Sequence, residues 1–281
     1  MNGRSACEIP FVDLGGDGPD LVFSHANGFP VEAYRKLLAA WTPDFHVLGM
    51  NARPLWPGSR PGEVRGWPDL ADDLVRFLET CARPPVVGAG HSLGAVTTAI
   101  AAVRRPDLFH ALVLIDPVFF PLPLCLLWRA MKRLGRADRL YLVRDALKRR
   151  REWPSRQAVL ARYREVPAFA AFDPETLEDY VEGGTVPDGA GGVVLRYPPE
   201  WEAWVFAHSP DDVWRFIPRI PPPCLVVRGA TSDTFRAASL ARMRRVLPRA
   251  RYVEVAGSGH FVPLERPLEV AAVARGFLYQ L

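Results

Sequence analysis

Pro85-Val86-Val87-Gly88-Ala89-Gly90-His91-Ser92-Leu93-Gly94-Ala95-Val96-Thr97-Thr98-Ala99-Ile100-Ala101-Ala102-Val103 joins an apolar run, a glycine-flanked serine and a small-residue segment. Pro85–Ala89 is a short apolar run of the kind that forms a strand buried on both faces. Leu93–Val103 is a small-residue helix able to pack closely on a sheet. Between them, Gly90-His91-Ser92-Leu93-Gly94 matches G-x-S-x-G in the strand–turn–helix context that pattern requires. Glycines at its two ends let neighbouring backbone come close, so the hydroxyl of Ser92 stands at the end of a sheet. The N–H of Leu93, at the helix start, can then face a developing oxyanion.

The same alternation continues on both sides. Asp20–Ser24, Phe45–Met50, Ala111–Ile115, Cys224–Arg228 and Arg251–Val255 read as strands; Val31–Trp41, Trp67–Cys81, Ala237–Leu247 and Pro267–Leu281 read as helices. Apolar strands alternating with helices predict an α/β fold, a mostly parallel central sheet flanked by helices. Phe119–Arg215 breaks the rhythm with helices at Leu122–Leu134, Ala137–Arg151, Arg156–Glu165, Pro174–Glu182 and Pro199–Ala207, and Gly183–Gly192 reads as a flexible loop. The expected organisation is a core of residues 1–118 and 216–281 with a helical insertion, a cap, at 119–215. Gly15–Gly18 reads as a turn after Phe11–Leu14, not as a nucleotide-binding fingerprint.

At 281 residues the chain is long enough for a sizeable core, which excludes a small disulfide scaffold or a disordered tail. The net charge of +4 is unevenly spread. Residues 129–164 hold 13 basic and 3 acidic side chains, leaving 22 and 28 for the remainder. Such a run is ordinarily a solvated helix face, and it can also attract anionic substrates or an acidic membrane surface. No nucleic-acid motif accompanies it, so nucleic acid is not an expected partner. The four cysteines show no ligand spacing and predict neither a metal site nor a disulfide framework. The first eleven residues lack the apolar core of a signal peptide, Gly and polar residues interrupt the charge-free run 84–103, and the run 117–128 is short and holds three prolines. A cytoplasmic protein without stable membrane insertion is the expectation.

A serine hydroxyl needs a base. His260, in Gly257-Ser258-Gly259-His260-Phe261-Val262-Pro263 after the last strand, is the candidate. A carboxylate must fix its tautomer, and Asp233, in Gly229-Ala230-Thr231-Ser232-Asp233, is the expected one. Asp116, which ends Ala111-Leu112-Val113-Leu114-Ile115-Asp116, is the competitor. A second oxyanion donor is expected from Ser24-His25-Ala26-Asn27-Gly28-Phe29-Pro30, at the N–H of Asn27, with Ala26 the alternative. His25 reads as a structural histidine that shapes this loop, and His91 as packing.

Together, SHANGFP at 24–30, GHSLG at 90–94, LIDP at 114–117, RGATSD at 228–233 and GSGHFVPLERP at 257–267 resemble the α/β-hydrolase superfamily, in its lid-bearing, serine esterase- and lipase-like branch. The order Ser92, Asp233, His260 is that family's nucleophile–acid–base order, and 119–215 falls where it inserts its cap. The resemblance implies a cofactor-free and metal-free serine hydrolase cleaving a small-molecule carboxylic ester through an acyl-enzyme. Branch members also cleave C–C, lactone and amide bonds or act as cofactor-free haloperoxidases, and some proteins on this scaffold only bind ligands. Haloalkane dehalogenases and epoxide hydrolases of this fold carry an aspartate where this chain has Ser92, which disfavours their chemistry. Phe120, Trp201, Trp204 and Phe261 are the candidate substrate contacts, with Glu202 and His208 as polar ones. A basic cap could also touch an anionic lipid interface.

Overall fold

The computed structural model describes residues 7–221 and 223–281; the leader reading of residues 1–6 lies outside them. In chain order the strands are β1 (Phe11–Gly15), β2 (Asp20–Ser24), β3 (His46–Met50), β4 (Val86–His91), β5 (Phe109–Ile115), β6 (Glu152–Trp153), β7 (Thr185–Pro187), β8 (Val193–Leu195), β9 (Cys224–Gly229) and β10 (Arg251–Val255). The helices are α1 (Arg35–Ala39), α2 (Trp67–Cys81), α3 (Leu93–Arg104), α4 (Leu122–Arg133), α5 (Tyr141–Leu147), α6 (Arg156–Arg164), α7 (Pro174–Gly183), α8 (Pro199–Ala207), α9 (Val213–Phe216), α10 (Ala237–Val246), α11 (Val262–Glu265) and α12 (Pro267–Leu278).

Seven strands form one sheet in the order β1-β3-β2-β4-β5-β9-β10. Only β1, at one edge, is antiparallel to its neighbour. Parallel strands covered on both faces read as near-continuous apolar runs, and every residue of β2, β4 and β9 is buried, with the charges of Asp20 and Arg228 near the strand ends paired to Arg83 and Glu254. Alternation sends Leu21 and Phe23 to one face and Val22 to the other. The Val22 face meets Leu70, Leu74 and Phe77 of α2 together with Leu240 and Met243 of α10. The opposite face meets Leu37 and Leu38 of α1 and Val270 and Phe277 of α12. Register brings the ends of β2, β4, β5, β9 and β10 into line, pairing Ser24 with Gly90, Ile115 with Val227, and Val255 with Gly229. The loops leaving these ends gather where the strand order reverses, the position at which open α/β sheets place their ligands.

The inserted elements, α4 to α9 and β6 to β8, lie between β5 and β9. Much of their apolar surface joins the core: Trp201, Val205 and Val213 belong to the same buried cluster as α2 and α3, and the Trp67 indole donates to the Val205 carbonyl at 2.9 Å. Two expectations are corrected. The segment read as a loop at Gly183–Gly192 contains β7, which joins β8 and β6 in a small antiparallel sheet; strands of two or three residues are too short to show a period. The cysteines read as unpaired include one pair, Cys7 with Cys81, which fastens the segment before β1 to the end of α2 with 5.4 Å between Cα atoms. Residues 74 apart in sequence meet only through the fold, so spacing could not signal them. Cys125 and Cys224 are free and buried, as expected.

Closing so long a loop restricts the unfolded chain. Cys81→Ser is therefore expected to lower unfolding stability by about 2–4 kcal/mol in urea titration, with the same loss when the wild type is reduced. An unchanged midpoint after reduction would remove this bond from the stability of the fold.

Candidate active site

Ser92 sits between β4 and α3 with φ +55° and ψ −113°. Non-glycine residues avoid this region, which costs on the order of 1–3 kcal/mol and is tolerated where surrounding structure fixes it. Here the Ser92 N–H donates to the Ile115 carbonyl at 3.0 Å, and its own carbonyl accepts from Val96. The turn is possible because a Cβ on Gly94 would lie 2.0 Å from the Ser24 carbonyl oxygen, and one on Gly90 would lie 2.5 Å from Gly94 backbone. Both glycines are steric requirements of the close β2–β4–α3 packing.

Ser92 Oγ lies 3.0 Å from His260 Nε2. His260 Nδ1–H donates to Asp116 Oδ1 at 2.8 Å. Asp116, fully buried at the end of β5 with φ +40°, also accepts from Ser232 Oγ at 2.7 Å and, on Oδ2, from the Gly229 N–H at 2.9 Å. The carboxylate facing His260 is thus Asp116, and the expectation of Asp233 is corrected. The cause is one residue of phase in the loop after β9. The turn closed by Ser232 N–H to the Gly229 carbonyl aims Ser232 inward at Asp116. Asp233, the next residue, is exposed, and its carboxylate accepts only from its neighbour Thr234 among the described residues. A sequence signal was present: Asp116 closes a wholly apolar run, whereas Asp233 stands among Thr and Ser.

A relay of neutral groups fixes the pieces around this triad. The Ala26 N–H donates to Tyr34 Oη at 3.2 Å, Tyr34 O–H donates to His91 Nδ1 at 2.8 Å, and His91 Nε2–H donates to the His260 carbonyl at 2.9 Å. His91, read from sequence as packing, therefore also holds the backbone of the histidine loop. His25 shapes its own loop as expected, donating from Nδ1 to the Ala26 carbonyl and accepting the Ala52 N–H at Nε2. Burial lowers the pKa of His25 to about 4, and burial together with the nearby His260 holds His91 well below the ordinary histidine value.

Among the expected oxyanion donors, the Ala26 N–H is occupied by Tyr34, whereas the Asn27 N–H has no protein acceptor among the described residues. The Leu93 N–H is the first of α3 and lacks an intrahelical partner. Ala26, Asn27, Ser92, Leu93 and His260 line one cavity of about 440 Å³. The Asn27 side chain is held by the insertion: its amide donates to the Glu202 carbonyl and its oxygen accepts from Tyr197.

The insertion also supplies much of the cavity wall, through Leu124 and Trp128 of α4, Leu142 of α5, and Glu202 and Phe206 of α8. Phe120 and Phe261 line it as expected. Trp201 and Trp204 do not. Spaced three apart, they turn to the side of α8 that packs on the core: Trp201 is buried with its indole on the Ser59 carbonyl, and Trp204 stacks on His208 at 4.1 Å. The cavity side of α8 is that of Glu202 and Phe206, four apart. Glu202 reaches the cavity as expected, and its carboxylate is paired with Arg149 at 2.5 Å; His208 does not reach it. The Trp128 indole N–H is buried without a hydrogen-bond partner among the described residues.

The sequence profile of the alpha/beta hydrolase family matches residues 21–273. The chain is 27% identical to 2-(acetamidomethylene)succinate hydrolase of Mesorhizobium japonicum over 250 residues, 88% of this chain and 83% of that one. It is 24% identical to human (lyso)-N-acylphosphatidylethanolamine lipase, over 80% of this chain and 67% of that one. A crystal structure of E-2-(acetamidomethylene)succinate hydrolase superposes with a TM-score of 0.79 at 23% identity, covering 95% of this chain and 94% of that one.

Two measurements test this geometry. With p-nitrophenyl butanoate, Asp116→Asn is expected to lower kcat by about 10³- to 10⁴-fold, since the amide cannot hold the required tautomer, while Asp233→Asn stays within about threefold of wild type. Comparable losses in both variants would place Asp233 in the site. For the buried histidines, the folded pKa lies below the unfolded one, so the unfolded chain binds more protons on acidification. Their contribution is complete above pH about 6.5 and is lost as pH falls, for His25 down to about 4. Urea midpoints are expected to decline from pH 6.5 to 5 with a slope of up to about 1.4 kcal/mol per pH unit for each histidine; His25→Gln should flatten that slope, and a flat wild-type profile contradicts the assignment.

Proposed function

The chain belongs to the alpha/beta hydrolase family, and we propose that within it the chain is a serine hydrolase of carboxylic esters with an uncharged, largely apolar acyl group. The observation that carries this reading is the line of contacts from Ser92 Oγ through His260 to Asp116 on the wall of an apolar cavity. In the proposed reaction His260 Nε2 takes the Ser92 proton as Oγ attacks the ester carbonyl. The N–H groups of Leu93 and Asn27 receive the negative charge that develops on the carbonyl oxygen. His260 then gives its proton to the leaving alkoxide, the acyl-enzyme forms, and water activated by the same imidazole releases the acid. Asp116 keeps Nδ1 protonated throughout. The inserted elements act as a cap, supplying the acyl wall.

The chemistry of the cavity favours this substrate over a dicarboxylate of the kind named for the Mesorhizobium relative. Its side-chain charges are Glu202, Asp233 and Arg236, and Arg149 is committed to Glu202. A dianion would lose its hydration there against one cation, Arg236, and two carboxylates, Glu202 and Asp233, at a large cost. Phe29, Phe120, Leu124, Trp128 and Phe206 instead offer apolar area. The unpartnered Trp128 N–H suits one acceptor oxygen in the substrate.

Hydrolysis of p-nitrophenyl esters from acetate to palmitate tests the reading. Turnover is expected to peak at medium chain length, about C4 to C8 for a cavity of this size, and to fall by at least about 10³-fold in Ser92→Ala. Esters carrying a free carboxylate on the acyl arm should react at least about tenfold more slowly in kcat/KM. A folded wild type that ignores the whole series yet hydrolyses an amide or lactone would move the chain to that bond class.

A further inference from the structure

Exposed apolar side chains are concentrated in one part of the insertion. Leu122, Leu126, Leu127, Leu134, Tyr141, Leu142 and Leu147 are seven of the twelve large apolar residues exposed among the described ones, and they fall within 26 residues; Leu127 is 56% and Tyr141 75% exposed. Leu122 and Leu126 of α4 share a face by four-residue spacing, and Leu127 falls in line with Leu134, just past the end of α4, by seven. The opposite side carries the buried Cys125 and Trp128. A solvent-facing helix normally turns polar residues outward; α4 turns leucines outward.

Charge accompanies this surface. Arg129 and Lys132 are satisfied by Asp211, and Lys148 by Asp145. Arg133, Arg136, Arg139 and Arg144 are exposed with no carboxylate within 4.0 Å among the described residues. Protruding leucines bordered by unpaired arginines have the two components of interfacial lipid binding: apolar area for the acyl region and cations for anionic headgroups. A symmetric contact between two copies of the chain would set the same arginines against one another. No described helix is long and apolar enough to cross a membrane, so the contact is with a surface.

We infer that the outward face of α4 and α5 docks on an anionic lipid bilayer. The same helices also line the cavity, through Leu124 and Trp128 of α4 and the partly exposed Leu142 of α5. Docking therefore sets the cavity wall against the bilayer. If the proposed ester activity holds, an apolar ester dissolved in the bilayer reaches Ser92 with little passage through water; the docking itself does not depend on that activity.

Flotation of the full chain carrying Ser92→Ala, with phosphatidylcholine vesicles and with vesicles about one quarter phosphatidylglycerol, tests this without any catalytic step. Binding is expected to be at least about tenfold stronger to the anionic vesicles and to fall about tenfold at 0.5 M salt, where the Debye length is only a few ångströms. Leu126→Glu/Leu127→Glu and Arg133→Glu/Arg136→Glu/Arg139→Glu should each reduce flotation at least about tenfold with unchanged thermal midpoints, since all five side chains are exposed. Equal binding to both vesicle types, insensitivity to salt, or absence of binding overturns the inference. So does a leucine variant that abolishes self-association in sedimentation while floating like the parent, which would identify a second copy as the occupant. Ester hydrolysis by a chain that does not float would retain the proposed activity and discard the docking face; flotation of a chain inert toward esters would do the reverse.

Discussion

A fully buried carboxylate organises this protein. Asp116 leaves the end of β5 in a left-handed backbone conformation and receives three donors: the Gly229 N–H at the end of β9, the Ser232 hydroxyl in the loop after it, and His260 in the loop after β10. A charge removed from water is costly unless its lone pairs are occupied, and losing one partner leaves that cost uncompensated. The carboxylate is therefore stable only when two segments distant from it in sequence, residues 229–232 and the loop after β10, have both arrived. Sheet order is what makes this possible, because β5 and β9 are neighbours and β9 and β10 are neighbours.

The Tyr34–His91 relay does the corresponding work on the other side of Ser92. It joins the loop after β2, the elbow after β4 and the histidine loop with three hydrogen bonds between buried neutral groups. The Tyr34 oxygen serves as acceptor for Ala26 and donor to His91, so each link settles the next one's protonation. His91 must then be neutral and protonated on Nε2, the form its burial also favours. Asp116 orients the ring of His260 while His91 holds its backbone, and the two constraints act on different atoms of the same residue.

The sequence carried the core well because its signals are local. A run such as Leu21–Phe23 is apolar because it is paired on both sides and covered on both faces, and Gly90 and Gly94 are glycines because backbone passes within contact distance. Ser92 and His260, the proposed nucleophile and base, were legible for the same reason. The carboxylate partner of His260 was signalled only by the apolar run that Asp116 closes, since choosing between Asp116 and Asp233 also needed the direction of one turn, and that direction is set by Ser232 reaching a residue 116 positions away. Trp201 and Trp204 failed likewise: helical spacing put them on one face correctly, but only the packing of α8 decides which face meets the cavity. The Cys7–Cys81 bond and the small sheet β6–β8–β7 had no periodic or spacing signal at all.

The insertion is more than a cover over a finished site. Asn27, whose N–H is the proposed second oxyanion donor, is held through its side chain by Glu202 and Tyr197, both from the insertion. Glu202 is in turn fixed by Arg149, which also donates to Tyr163 and Tyr180, and Tyr180 donates to the Gly28 carbonyl. The loop after β2 thus has its position set from two sides, by Tyr34 within the core and by this buried polar cluster above it. Electrostatic stabilisation of an oxyanion depends on donors already aimed before the charge appears. In this chain that aim is shared between the sheet and the insertion, so displacement of α8 would disturb the oxyanion donor and the substrate wall together.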